Sequence, residues 1–203
     1  DTSYSKRITL IQDFGFPEAA LRLKFTPGQG HMIGCGVYKP QMRVYDLQDM
    51  SIKFERHLKA ETVDFVVLGE EWQKVVLLGA DRSIEFHNSS GPYYQTRIPK
   101  AGRAMCYDER TCDLLVVGSS ADVYRLNLDR GQFMGSLETD SQGGLNGIDI
   151  SPGSGLYGVV GDGGLVEFWD RRERTKVASL QAATDSDDQV ACDMTAIKFV
   201  DAL

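Results

Sequence analysis

Cysteine and histidine are scarce in this chain of 203 residues, which has four of the former and three of the latter. The cysteines, Cys35, Cys106, Cys112 and Cys192, lack the Cys-x-x-Cys spacing that is typical of zinc sites. Cys35 and Cys106 lie in apolar stretches, where a thiol behaves as a small hydrophobic group. We therefore expect reduced, structural cysteines of the kind found in intracellular proteins.

Long apolar runs and an excess of basic residues are also missing. Runs such as residues 65–68 (FVVL) are far shorter than the roughly 20 residues of a membrane-spanning helix, and no segment near the first residue resembles a signal peptide. The net charge of −7 and the pI near 5.0 exclude a basic footprint for nucleic acid at the level of the whole chain. Any contact with RNA must then come from a local patch.

Glycine, by contrast, is abundant, with 21 copies against 6 prolines, and 42% of the residues are hydrophobic. This balance is typical of short strands that are joined by tight turns around a packed core. Helical periodicity is nowhere sustained over three turns, so the sequence favours an almost entirely β structure.

A short apolar strand that follows a turn recurs four times along the chain. Its landmarks, Tyr45, Phe86, Leu126 and Trp169, lie 41, 40 and 43 residues apart. WD40 propellers repeat a four-stranded blade about every 40–45 residues. We therefore predict an all-β fold, a WD40-type β-propeller, with about four complete blades at residues 20–56, 62–98, 102–137 and 145–180.

The two ends of the chain predict partial blades. Residues 8–11 (ITLI) resemble a closing strand, and residues 195–199 (TAIKF) resemble an opening strand. We expect an incomplete ring with further blades beyond Leu203, as part of a larger propeller of about seven blades. The polar stretch at 181–193, which contains DSDD, is predicted to be an exposed acidic loop between blades.

The dipeptide that gives WD repeats their name occurs once, as Trp169-Asp170. Tyr45-Asp46 occupies the equivalent place in the first repeat. We predict structural roles for these four residues, with the aromatic ring packed between blades and the carboxylate capping nearby donors. Because one repeat in four carries the dipeptide, the sequence indicates a divergent propeller.

A basic stretch with aromatic neighbours is the candidate contact site for a partner protein or RNA, at Tyr93, Tyr94, Arg97, Lys100 and Arg103. The sequence predicts a loop between blades two and three for the three bases. They could bind a phosphate or an acidic partner while the tyrosines stack or fill a pocket, or they could form an ordinary solvated loop. For the second basic group, Arg171, Arg172, Arg174 and Lys176, we predict a solvated turn.

No catalytic, metal-binding or cofactor-binding residues are expected. Asp81, Glu85 and His87 could be offered as an acid–base or metal cluster, but no nucleophile or second ligand pair accompanies them. We interpret Asp81 as a turn residue and His87 as a surface or inter-strand hydrogen-bonding group. The glycine-rich residues 161–164 (GDGG) precede a strand, so we predict a hairpin turn rather than a phosphate-binding loop.

Several segments resemble a known family. They are GVYKP (36–40), KFER (53–56), DRSIEFH (81–87), YYQTRIPK (93–100) and VYRLNL (123–128). In these segments the chain is similar to the propeller of the nucleolar protein 10 family, called essential nuclear protein 2 in yeast, and the resemblance runs from about residue 8 to residue 199. Ala101 and Ala104 depart from the family pattern, which leaves the contacts of the 97–103 segment open.

The resemblance implies a role in ribosome small-subunit biogenesis and rRNA processing. We expect a non-catalytic scaffold in the nucleus and nucleolus, with other small-subunit processome proteins as partners and pre-rRNA or snoRNA bound through local basic loops. Neither a membrane nor a small-molecule substrate is expected. The resemblance also implies a charged region after the propeller.

Two other classes of function stay open at this point. A WD40 adaptor could recognise a linear peptide in a ubiquitin ligase or a signalling complex. A propeller enzyme or metal-binding protein would depend on the weak set of Asp81, Glu85 and His87.

Overall fold

The computed structural model describes residues 14–182 and 192–200. The chain divides into two compact units, one made of Asp1–Leu77 with Glu85–Gln95 and the other of Leu78–Ile84 with Thr96–Leu203. The predicted closing strand at 8–11 lies outside the described residues, and so does most of the predicted acidic loop at 181–193.

The described residues form an all-β structure of four four-stranded antiparallel sheets, as predicted. In each sheet the strands follow one another in chain order, which is the arrangement of a propeller blade. We number the sheets blades 1 to 4. Blade 1 contains β1 (Ala20–Phe25), β2 (His31–Gly36), β3 (Gln41–Asp46) and β4 (Ser51–His57); blade 2 contains β5 (Thr62–Val67), β6 (Val75–Gly79), β7 (Ser83–Asn88) and β8 (Gly91–Arg97). Blade 3 contains β9 (Gly102–Asp108), β10 (Asp113–Gly118), β11 (Asp122–Asn127) and β12 (Gln132–Glu138); blade 4 contains β13 (Leu145–Ile150), β14 (Leu156–Gly161), β15 (Leu165–Asp170) and β16 (Lys176–Gln181).

The second strand of each blade is mostly buried. Every residue of β6 and β10 is buried, as their continuous apolar sequences indicate. Leu114 and Val116, for example, are completely inaccessible to solvent. Because burying one such side chain stabilises a fold by about 1.5–3 kcal/mol, these strands anchor the blades.

In the first unit, a core joins strands of blades 1 and 2. Its buried members are Ile33, Cys35, Met42, Val44, Phe65, Val75 and Leu77. Burial raises the pKa of the Cys35 thiol to about 12, which leaves it protonated and inert as a nucleophile. Cys35 therefore behaves as a packed hydrophobic residue.

In the second unit, a core joins blades 3 and 4. Its buried members are Leu115, Val117, Val123, Leu137, Leu145, Ile148, Tyr157, Val159 and Trp169. Polar groups of this unit are hydrogen-bonded within it: the Tyr157 hydroxyl donates to Asp108 (2.8 Å), which also pairs with Arg171 (3.1 Å). The Asp108 carboxylate, at the end of β9 in blade 3, is thereby linked to β14 and to the turn after β15 in blade 4.

The third strands reveal an error of one residue in the predicted repeat. Sequence spacing aligned Phe86 with Trp169, but β7 ends at Asn88 and β15 ends at Asp170, which aligns His87 with Trp169. The Glu-Phe pair that precedes each of these two residues shows the same register. Because Phe86 is aromatic like Trp169, the sequence pattern favours Phe86 over His87 as the equivalent residue.

The predicted opening strand at 195–199 is not a strand in the structure, since residues 192–200 contain none. These residues nevertheless pack on blade 4. Asp149 binds the Lys198 ammonium (3.0 Å) and the Phe199 backbone N–H (2.8 Å). Gly158 lies so close to Ile197 that a Cβ there would come within 2.6 Å of the Ile197 side chain. The segment contacts blade 4 through side chains rather than through a ladder of strand hydrogen bonds, which is why it is not a strand.

Residues 161–164 join β14 to β15, as predicted for a hairpin turn. Asp162–Gly164 form one 3-10 turn, and Gly163 and Gly164 have φ of +79° and +75°. Such angles strain residues with a Cβ, so the glycines suit the turn and need no phosphate to explain them. Among the described residues, no helix is long and apolar enough to cross a membrane.

Candidate interaction surface

Tyr93 and Tyr94 lie on β8, the last strand of blade 2, and both are exposed, at 59% and 53%. Their rings contact Phe86 on the neighbouring strand, with centroids 6.2 Å and 5.6 Å apart. Phe86 is buried, so it provides a fixed base for the two exposed rings. Two tyrosines in this arrangement present rigid amphipathic surface, which is the property of residues that dominate protein interfaces.

Arg97 is the last residue of β8, and Lys100 follows in the loop before β9. The Arg97 guanidinium lies 3.7 Å from the Asp81 carboxylate, and its side chain is 65% exposed. Such a surface ion pair contributes at most about 1 kcal/mol, so Arg97 can exchange Asp81 for another anion at little cost. Lys100 is exposed and has no ion pair among the described residues.

The predicted loop contains Lys100, but the prediction was wrong for Arg97, which ends β8, and for Arg103. Arg103 is the second residue of β9, which begins at Gly102. Gly102 packs closely against Leu78, since a Cβ at Gly102 would come within 2.8 Å of the Leu78 side chain. The Arg103 guanidinium contacts Asn146 and lies 3.4 Å from Asp162 in blade 4. Hydrogen bonds from Asn146 and from the Gly144 N–H hold the pKa of Asp162 below its usual value. Arg103 thus connects two blades.

The second basic group is only partly a solvated turn. Arg172 and Arg174 lie in the turn after β15, as predicted. Arg171 instead has a side chain that is only 10% exposed and pairs with Asp108, and Lys176 begins β16 and pairs with Asp140. The prediction was wrong for these two because their partners lie on loops and strands distant in sequence.

The sequence of the chain can be compared with those of known proteins. The chain matches the family described as nucleolar protein 10-like, N-terminal domain, over residues 1–203. The chain belongs to the nucleolar protein 10 family. The four blades described above are accordingly part of that family's β-propeller domain.

Individual relatives agree with this assignment. The chain is 44% identical over 187 residues to a ribosome biogenesis protein enp2 homolog of Schizosaccharomyces pombe. The aligned region covers 89% of the chain and 30% of the relative. It is 42% identical to ribosome biogenesis protein ENP2 of Saccharomyces cerevisiae (93% of the chain, 27% of the relative). It is 43% identical to human nucleolar protein 10 (92% and 27%). The chain therefore spans less than a third of the length of these relatives.

The WD-type positions of this family member are part of the blades' internal hydrogen bonding. Trp169 is 7% exposed within the core of blades 3 and 4, and its indole N–H donates to Glu167 (3.1 Å). Tyr45 is 1% exposed, and its hydroxyl donates to the Phe14 carbonyl (3.0 Å). Both rings are thus buried, and each donates a hydrogen bond that helps to fix it.

A feature that sequence reasoning missed is the residue that ends the third strand of every blade. It is aspartate or asparagine each time, at Asp46, Asn88, Asn127 and Asp170. In each turn the side-chain oxygen accepts from backbone N–H groups two or three residues later, for example Gln48 (2.9 Å) after Asp46 and Arg172 (2.6 Å) after Asp170. The signal is the Asp or Asn at the end of each repeat strand, and the WD-type dipeptides identify two of the four, Asp46 and Asp170.

The proposed acid–base set separates into two local arrangements. Asp81 accepts from the Ser83 hydroxyl and backbone, and the hydroxyl bond is the main cause of its lowered pKa. His87 is 3% exposed, with Nε2 3.1 Å from Glu85 and Nδ1 3.3 Å from Arg56. Within the described ranges, no group of three or more histidine, cysteine, aspartate or glutamate side chains is arranged to hold a metal ion.

Proposed function

We propose that this chain is part of a non-catalytic docking scaffold that acts in ribosome small-subunit biogenesis and rRNA processing, in the nucleus and nucleolus. The names of its relatives support this function, since they are ribosome biogenesis proteins and nucleolar proteins. The partners we propose are other proteins of the small-subunit processome. No enzymatic activity is part of the proposal.

The exposed pair Tyr93 and Tyr94, fixed on blade 2 by Phe86, is the observation that carries the proposal. The other buried and half-buried polar groups described above, such as Asp108, Glu167 and His87, are engaged in contacts that hold the blades. Tyr93 and Tyr94, by contrast, are more than half exposed and contribute less to the packing of the blade. They are available to a partner, and aromatic anchors of this kind supply much of the binding energy at interfaces.

Contact with pre-rRNA or snoRNA is the finer part of the proposal, and it depends on Arg97 and Lys100. The side chains of Arg97 and Lys100 are exposed, and the ion pair of Arg97 with Asp81 is weak. Two bases in a chain of net charge −7 give modest affinity, so we propose that RNA binding supplements protein docking rather than replacing it.

The experiment is affinity purification of the tagged full-length protein from nucleolar extract, with and without ribonuclease. Recovery of small-subunit assembly factors in both samples is expected. Recovery of none of them, from extract in which the tagged protein is itself abundant, would overturn the proposal. Recovery of ubiquitin-ligase or signalling subunits instead would favour the peptide-adaptor function.

The surface is tested in the same purification with paired variants. Tyr93→Ala combined with Tyr94→Ala should lower the yield of at least one directly bound factor, and an affinity loss of about tenfold or more is expected for aromatic anchors. The control is Phe133→Ala, which removes an exposed aromatic ring from the corresponding strand of blade 3. Equal yields from both variants would remove the tyrosines from the proposal.

The RNA contribution is tested by crosslinking in cells. Lys100→Glu should lower the crosslinked RNA and reduce the salt dependence of binding by about one ion. Lys74→Glu, which reverses an exposed charge in the loop before β6, is the matched control. If both charge reversals lower the signal equally, the effect comes from overall charge and the site assignment fails.

A further inference from the structure

The turn between β6 and β7 has an arginine where the fold does not need a side chain. Arg82 ends this turn with φ of +69°, in the left-handed region that favours glycine. The turn between β14 and β15 has the same length, and Gly164 occupies the corresponding position with φ of +75°. Blade 4 thus forms its turn with glycine, so the guanidinium of Arg82 is not a requirement of the turn.

The connection from β8 to β9 lies directly against this turn, within the second compact unit. The Arg82 guanidinium donates to the Pro99 carbonyl (3.0 Å), and the Ile98 N–H donates to the Arg82 carbonyl (3.0 Å). Ile98 is 2% exposed, so it anchors the connection in the core. Lys100 follows Pro99 in the chain. The side chains of Arg82 and Lys100 therefore start from neighbouring positions on a fixed surface.

Arg97 adds a third positive charge at the same place. Its guanidinium lies 3.7 Å from the carboxylate of Asp81, the residue before Arg82. Asp81 also accepts from the Ser83 hydroxyl and N–H, so it keeps partners when Arg97 turns to another anion. The two segments, residues 80–82 and 97–101, contain three basic residues and one acidic residue in a chain of net charge −7. All three basic residues are exposed, so the local excess of positive charge is available to a ligand.

We propose that Arg82 completes, with Arg97 and Lys100, a site for the phosphate backbone of RNA. This inference rests on the RNA contact of the proposed function. It adds a third cation to that contact and a mode of recognition, in which the backbone is bound and the bases are not read. Contacts with phosphate supply affinity and position without sequence information.

The placement of the three cations favours a chain of phosphates over one phosphorylated side chain. Arg82 is directed towards Pro99 and Arg97 towards Asp81, which lie on different segments. A phosphoserine presents a single phosphate, and it is bound best where several cations converge on that group. RNA presents one phosphate per nucleotide, so cations that are set apart can each contact a phosphate.

The test measures the binding of full-length protein to a fluorescent single-stranded oligouridine over a range of salt concentrations. Arg82→Gly should bind about threefold to tenfold more weakly near 0.1 M salt, and the slope of log affinity against log salt should fall by about 0.7, the contribution of one contact with a single strand. Arg82→Lys keeps the charge and should bind within about twofold of the wild type.

The thermal midpoint separates this role from a role in folding. In Arg82→Gly the lost hydrogen bond to Pro99 is offset by relief of the left-handed conformation, so the midpoint should stay at the wild-type value. A lower midpoint that accompanies the loss of binding would assign Arg82 to the fold and overturn the inference.

Arg174→Gly is the matched control, because Arg174 is also an exposed turn arginine with a left-handed backbone (φ +60°). It should bind the oligouridine like the wild type, and a loss equal to that of Arg82→Gly would overturn the inference. If Lys100→Glu weakens binding but Arg82→Gly does not, the inference fails while the proposed RNA contact stands. If neither change weakens binding, both fail. A peptide with one phosphoserine whose binding, unlike that of the RNA, depends on Arg82 would also overturn the inference.

Discussion

Blades 2 and 4 each have a buried glutamate at the same position of the third strand, and the two glutamates bind different rings. In β15, Glu167 accepts from the indole N–H of Trp169 (3.1 Å); in β7, Glu85 is bonded to Nε2 of His87 (3.1 Å). Glu167 is 2% exposed and Glu85 is 8% exposed, and in both strands the ring lies two residues after the glutamate. The two blades therefore share a local design but differ in the chemistry of one ring.

The difference shows what a second ring nitrogen adds. Indole has a single N–H donor, so its hydrogen bonding ends at Glu167. Histidine also has an acceptor: Nδ1 lies 3.3 Å from the Arg56 guanidinium of β4, so Nε2 must carry the proton that Glu85 accepts. Arg56 donates as well to the carbonyls of Asn88 and Ser89. Histidine thus extends the network to the neighbouring blade, at the cost of making it sensitive to protonation.

The largest expected effect is the loss of the indole. Trp169→Ala should destabilise the protein by about 3–5 kcal/mol, because it leaves a cavity in the core of blades 3 and 4 and removes one of the donors to Glu167. The measurement is denaturant unfolding of the full-length protein, with Val177→Ala, at an exposed position on β16, as the control. A loss below about 1 kcal/mol would show that the ring is not a core residue.

A smaller effect separates the hydrogen bond from the packing. Trp169→Phe keeps an aromatic ring but removes the N–H donor, so it should cost about 1–3 kcal/mol, part of it from the buried carboxyl of Glu167. Combining this change with Glu167→Gln tests the origin of the cost in a double-mutant cycle. Strictly additive losses would mean that the indole and the carboxyl are not coupled.

The turns after the two strands should give an effect of about 1 kcal/mol each. Asp170→Ala and Asn88→Ala both remove an oxygen that accepts from two backbone N–H groups. Asn88→Asp and Asp170→Asn keep that oxygen and should change the unfolding free energy by only a few tenths of a kcal/mol. If the conservative changes cost as much as the alanines, the turn contacts are not the reason for the recurring residue.

The smallest effect is the dependence on pH that the histidine of blade 2 adds and the indole of blade 4 does not. Burial, opposed by the hydrogen bond with Glu85, lowers the pKa of His87 below its ordinary value of 6.5. The unfolded chain then binds the proton more tightly, so stability from His87 is complete above about pH 6.5 and declines as the pH falls towards the folded pKa. His87→Gln should flatten the dependence of the unfolding free energy on pH in that interval. An unaltered slope in His87→Gln would contradict this assignment.

The repeat made the fold predictable. Buried second strands such as β6 and β10 are continuous apolar runs, and residues 161–164 have the glycines of a turn, so local chemistry was sufficient for both. The register of blade 2 was harder, because Phe86 and His87 are both ring residues on one strand. The conformation of residues 195–199 could not be read from their alternating pattern, because a strand also requires a neighbour that pairs with it.

The site was less predictable, for a reason that Arg103 and Arg97 illustrate. Both are arginines of one basic stretch, yet Arg103 contacts Asn146 and Asp162 far along the chain, whereas Arg97 has only a weak pair with Asp81. A side chain's availability depends on its partners, and these are distant in sequence.

By itself, the sequence determined the all-β class, the period of the blades and their family, because apolar alternation and turn residues act over a few neighbouring positions. Only the tertiary structure decided which polar groups are engaged within the blades and which stay exposed. Pairs such as Tyr157 with Asp108, or Arg171 with the same carboxylate, form across about fifty or more residues. Hydrogen bonds and burial at that range arise from packing, and no local pattern encodes them.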